Sequence, residues 1–180
     1  MFHEPRIISK MKNRKQITEF WKNQFYIISK DFLMKFNLEE NAVEYLTKIG
    51  LPSNTNIFDQ ALEINFYDQP NIKLQTYQEK DYIIIGDDTG TNICIKPQTG
   101  EIFSIDFDGE TGLEICFINS TIETFIIFLQ IFNAYQKRNR NGNFYQADEI
   151  KKMKNDFLKV DKISLEDKNN WWCEFINQVI

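Results

Sequence analysis

The chain has 180 residues and a mass of 21.5 kDa, 42% of it hydrophobic, 26% charged and 14% aromatic, which is enough to bury a sizeable core and unlike a disordered tail. The net charge of −5 is unevenly spread: residues 1–35 carry +5, residues 36–136 carry −12 and residues 137–180 carry +2. An acidic middle repels nucleic acid and attracts basic proteins, and no apolar run reaches the roughly 18–20 residues of a membrane span.

Along the chain, residues 1–15 read as a flexible basic N-terminus, without the apolar stretch or cleavage site of a secretory signal, so the cytoplasm is the expected location. From Gln16 to Phe36 the apolar residues Ile17, Phe20, Trp21, Ile28 and Phe32 recur at helical spacing, with room for a break between Phe25 and Ile28. A second helix is predicted over Glu39–Ile49, capped by Asn37, ended by Gly50 and blocked from continuing by Pro52.

The period then changes from 3.6 to 2. Leu62, Ile64 and Phe66 alternate with polar residues, and comparable runs follow at Lys73–Tyr77, Tyr82–Gly86, Asn92–Lys96, Glu101–Phe107 and Glu114–Ile118, about six strands in all. Pro97 to Gly100 is placed for a tight hairpin. Helices followed by consecutive short strands indicate an α+β fold, an antiparallel sheet backed by N-terminal and C-terminal helices. Tyr82–Ile85 is apolar on both faces and should be central. Phe103, Ile105 and Phe107 alternate with Ser104, Asp106 and Asp108, so one face of that strand meets solvent or a partner.

Ser120 and Glu123 have the spacing of a capping box before an apolar helix, Ile122–Tyr135. KRNRNGNF reads as an exposed linker, and Ala147–Leu158 and Leu165–Val179 as further helices. Residues 139–180 thus form a C-terminal helical extension of a single domain spanning 1–180. In the last helix the adjacent Trp171 and Trp172 point about 100° apart, placing at least one on the rim.

No catalytic constellation stands out. The lone His3 lies near a terminus, and the three cysteines, Cys94, Cys116 and Cys173, lack any CxxC and read as core fillers. Asp87–Asp88 and the group Asp106, Asp108 and Glu110 fall in predicted turns beside Gly, Thr and Asn, where they would be exposed and titrate normally rather than work as an acid–base pair. Asp106, Asp108 and Gly109 start like a calcium loop but lack its remaining ligands, and GDDTGTN lacks the Lys and helix of a phosphate loop. No metal, cofactor or enzymatic activity is expected. A base-stacking module would interleave rings with Lys or Arg on strands, whereas the strand region here is the acidic one, which favours a core role for the rings.

Several ordered features are similar to a known family. Tyr45-Leu-Thr-Lys-Ile-Gly-Leu-Pro52 with Phe58 after it, the Tyr82-Ile-Ile-Ile-Gly-Asp87 strand, the Ile93–Gly100 hairpin followed by Glu101–Asp106, and Phe117-Ile-Asn-Ser120 leading into Phe125 resemble the SUKH superfamily. That superfamily comprises bacterial immunity proteins related to the fungal Smi and Knr cell-wall regulators. The tail with Asp161, Ile163, Leu165, Asp167 and Trp171–Trp172 looks like the fourth SUKH subgroup. The resemblance implies a protein that binds and neutralises a cognate toxin by stoichiometric occlusion, with an intracellular scaffold or adaptor as the alternative. Many such toxins are nucleases with basic clefts. The residues expected to meet the toxin are Asp87, Asp88, Asp106, Asp108 and Glu110, with Tyr67 and Tyr77 as aromatic anchors. No nucleic-acid or membrane partner is expected, and a monomer is the working expectation.

Overall fold

In the computed structural model, which describes residues 14–53, 62–108, 112–138 and 147–178, the apolar spacing of residues 16–36 does not produce one helix. Helix α1 (Arg14–Phe20) stops where Lys22 and Asn23 adopt φ values of 54° and 56°, outside the right-handed helical region. Strand β1 (Phe25–Tyr26) follows, then the one-turn helix α2 (Lys30–Leu33) and a 3₁₀ turn, Met34–Phe36. The spacing still marks the core side, since Ile17, Trp21 and Ile28 are buried and Phe20 and Phe32 are half-buried against the same core. Helix α3 (Glu40–Lys48) is capped by Glu39 rather than Asn37. The Glu39 carboxylate accepts from the Asn41 and Ala42 N–H groups at 3.0 Å each, while Asn37, at φ 50°, closes the preceding 3₁₀ turn. Gly50, at φ 88°, then turns the chain into β2 (Leu51–Pro52), which pairs antiparallel with β1.

The remaining strands are β3 (Ile64–Phe66), β4 (Lys73–Tyr77), β5 (Lys80–Asp88), β6 (Thr91–Ile95), β7 (Ile102–Asp108) and β8 (Gly112–Asn119). They form one antiparallel six-stranded sheet in the order β3-β5-β6-β7-β8, with β4 beside β3 on the same edge of β5. The chain is therefore α+β; β5, expected to be central from its two apolar faces, is an interior strand paired on both sides, and β6 is the middle one. Asp87, Asp88, Asp106 and Asp108 are strand residues, correcting their placement in turns. The β5–β6 turn is instead Thr89–Gly90, both at positive φ (48° and 102°), the twist that matches a two-residue hairpin. Bulges at Ile84/Gly86 and at Ile102/Phe103 shift the register locally and bend the sheet.

Helix α4 (Ile122–Arg138) buries Phe125, Ile126, Phe128, Leu129, Ile131 and Phe132 and is the centre of the core. Its cap is Thr121, whose Oγ1 accepts from the Thr124 N–H at 3.1 Å. Ser120, expected to cap it, donates instead to Asp161 Oδ1 at 2.9 Å. Helix α5 (Ala147–Val160) leads through a 3₁₀ turn, Ile163–Leu165, to α6 (Trp171–Gln178), which begins six residues later than its pattern predicts. The delay has a local cause: Asp167 Oδ1 accepts from the Asn169 N–H at 2.9 Å and Asn170 Nδ2 donates to the Ile163 carbonyl at 3.0 Å, so this stretch satisfies itself as a turn.

Phe157 stacks on Phe128 at 4.0 Å, and Trp172 fits against both at 4.9 and 5.4 Å. Trp172 is fully buried and Trp171 lies at the rim. His3, Phe58, Gly109, Glu110, residues 139–144 of the linker and Val179 lie outside the described residues.

Candidate functional site

Alternation along the strands splits the sheet's side chains into two sets. Ile64, Phe66, Ile83, Ile85, Ile93, Ile95, Ile102 and Ile118 face the helices and merge with their core. The opposite, outer face carries Tyr82, Ile84, Cys94 and Ile105, surrounded by half-buried Tyr67, Tyr77, Phe103, Leu113 and Ile115. Among the described residues no helix contributes to this second cluster. It is the face that Phe103 and Ile105 present; Ser104, their polar neighbour, is buried on the helix side opposite Ile93.

A row of rings crosses the outer face. Tyr77 meets Tyr82 at 6.1 Å, Tyr82 meets Phe103 edge-on at 5.8 Å, and Phe103 meets Phe117 edge-on at 5.6 Å. Lys96 Nζ lies 6.0 Å over the Phe103 ring and 3.5 Å from Glu101 Oε2, which also accepts from Thr99 Oγ1 at 2.7 Å. Asn92 Nδ2 donates to the Tyr77 hydroxyl at 3.1 Å. That bond joins β4 to β6 across the whole width of β5, so the sheet closes toward this face.

The structure divides the residues expected to form the site. Asp87 pairs in register with Asn92 and with Asn65 on the outer face, on the side that Tyr67 also takes. Burial first, and the Asp87 carboxylate second, hold the Tyr67 phenol above its ordinary range. Tyr67, Tyr77 and Asp87 are thus brought together. Asp88 is the next residue in the strand and takes the helix side, in register with Ile64 and Thr91. It is half-buried, and this burial pushes its carboxyl up, against the reading of an exposed group that titrates normally. Asp106 is exposed beside Glu114, again on the side of Ser104 rather than Phe103. Asp108 pairs in register with Gly112, its side chain lying outside the described set, as does Glu110 altogether.

The sequence reading missed Tyr82, Asn92, Phe103 and Phe117 as members of this face. The signal was available as a pair of apolar alternations, Phe103/Ile105 and Ile115/Phe117, that come into register on neighbouring strands. Burial pushes the Cys94 thiol beneath the rings up to about 12, leaving it unsuited to nucleophilic work. A separate cleft of about 200 Å³ lies between Glu39, Asn41, Tyr45, Gly100, Thr121 and Glu123, but Glu39 is spent on capping α3 there. Among the described residues no group of three His, Cys, Asp or Glu side chains is arranged to hold a metal, and no helix is long and apolar enough to cross a membrane. What the outer face offers is contact: rings, aliphatic surface, hydroxyls and carboxylates on a fixed backbone frame.

Compared with known proteins, residues 27–178 match a family model described as SUKH-4 immunity protein. No curated protein and no solved structure matches the chain.

Proposed function

Because the chain belongs to the SUKH-4 immunity protein family, whose members give immunity to toxins, we propose that it neutralises one cognate toxin domain by binding it stoichiometrically in the cytoplasm and covering its active site or substrate channel. The chain transforms no substrate in this reading. The observation that carries it is the outer sheet face, where half-buried Tyr67, Tyr77, Phe103 and Phe117 form an aromatic-rich surface over buried Tyr82, to which no described helix contributes. Tyrosine rings supply large contact area and a hydrogen-bonding end at little conformational cost, which is why they dominate binding energy at protein interfaces. The −12 carried by residues 36–136 would draw in a toxin with a basic cleft, such as a nuclease, and raise the rate of encounter.

Mixing the chain with the C-terminal toxin domain encoded next to it tests this. The expected result is a one-to-one complex by light scattering, and toxin activity that falls linearly to zero at one equivalent. Inactivation by a small fraction of an equivalent would show turnover and sink occlusion. In cells, expression should rescue from that one toxin and not from unrelated ones; rescue from none would favour the scaffold or adaptor reading.

A further inference from the structure

We propose that Asp87, framed by Tyr67 and Tyr77, is the receptor for an arginine side chain of the toxin. The inference rests on the reading above that the outer face is the contact surface, and it names the chemistry of the partner's anchor.

Glu101 and Asp87 both stand beside the rings of this face. Glu101 is already occupied by Lys96 and Thr99. Asp87 stands near the Tyr67 ring, and among the described residues no Lys or Arg lies within ion-pair distance of it. A carboxylate offers about four acceptor positions, enough for a bidentate donor. Directly across the strand pair, Asn92 donates its amide to Tyr77 and keeps its Oδ1 as a further acceptor. Asn65, in register with Asp87 on its other side, adds a second amide, so the site offers a carboxylate, two amide oxygens, amide N–H groups and ring faces. An anionic group such as phosphate would be repelled there.

Guanidinium fits that inventory. It is planar, carries five donors and no acceptor, binds a carboxylate with two parallel N–H groups and stacks on tyrosine rings. An ammonium group is a more strongly hydrated point charge that cannot use the rings and the second acceptor in one plane. The Tyr77–Asn92 bond across β5 holds one ring in place before binding, so little side-chain freedom is lost on association.

The first test uses N-acetyl-arginine amide as probe, followed by NMR of the Tyr67 and Tyr77 ring signals at pH 7 and low salt. A saturable shift in the millimolar range is expected, several-fold weaker with the lysine analogue, absent with the uncharged citrulline analogue and lost in Asp87→Asn. Equal responses to arginine and citrulline, equal responses to arginine and lysine, or a response surviving Asp87→Asn would each overturn the assignment. The second test is toxin affinity. Asp87→Asn should weaken binding about 10- to 100-fold, while Asp106→Asn on the other face serves as the control. If Asp87→Asn stays within about twofold while Tyr77→Ala or Phe103→Ala weakens binding, the face is the contact and the arginine anchor is wrong. If none of the three has an effect, the face and the anchor fall together. Melting temperatures of each variant separate lost contact from lost fold.

Discussion

Two glycines show how a missing Cβ places the site. Gly86 sits at the β5 bulge where a Cβ would come within 2.4 Å of the Asn65 carbonyl oxygen on β3; without it β3 could not approach and Tyr67, just after β3, would not reach Asp87. Gly86→Ala should therefore cost about 2–4 kcal/mol in urea denaturation. Gly90 is a different case, with φ 102° and nothing within 4 Å of its Cβ position, so Gly90→Ala meets only the backbone penalty, about 1 kcal/mol. Among the thiols, burial pushes Cys94 and Cys116 up to about 12. A thiol with that value is almost wholly protonated at pH 8. Ellman's reagent at pH 8 should leave both unlabelled in the folded protein and label all three cysteines once urea unfolds it.

At the scale of elements, one buried polar cluster ties the end of β8 to the C-terminal helices. Asp161 Oδ2 accepts from Asn119 Nδ2 at 3.0 Å, the Ser120 N–H at 2.7 Å and Thr124 Oγ1 at 3.1 Å, and Oδ1 accepts from Ser120 Oγ. Asn119 Nδ2 also donates to Ser164 Oγ at 2.9 Å, and Asn119 Oδ1 accepts from Trp172 Nε1 at 2.9 Å. Burial on its own would raise the Asp161 carboxyl; the donors around it outweigh that and lower it below 3.8. Since the folded value lies below the unfolded one, the stabilisation is present above about pH 4 and is lost as pH falls through the lowered value. The melting-temperature gap between wild type and Asp161→Asn should stay constant from pH 8 to about 5 and shrink only below about pH 4. Asp161→Ala, which strands several donors, should cost about 3 kcal/mol at pH 7.

Across the whole molecule, residues read as a C-terminal extension supply part of the central core, because Phe157 and Trp172 pack on Phe128 of α4. Truncation after residue 146 should abolish the cooperative thermal transition seen by calorimetry, whereas a detachable extension would leave it intact. Charge acts at this scale too. The expected carboxylates do not converge: Asp87 is on the outer face and Asp88 and Asp106 are on the helix side. Steering depends on the summed field and needs no convergence, but tight contact does. In a stopped-flow salt series with the toxin, Asp88→Asn and Asp106→Asn should each slow association less than about threefold and leave dissociation unchanged, whereas Asp87→Asn should speed dissociation.

Period alone carried the strand sequence, the α+β class and the interior place of β5, because alternation and helical spacing are local properties of the chain. It could not place caps or helix ends, which went to Glu39, Thr121 and the turn at Asp167–Asn170 through local hydrogen bonds that compete with the expected ones. The site was half legible. Tyr67, Tyr77 and Asp87 could be singled out as residues, but a bulge and the register of β5 against β6 decide that Asp87 shares a face with the rings while Asp88 does not. A period of two sends neighbours to opposite sides, so which side meets a partner is known only when the helices have covered the other.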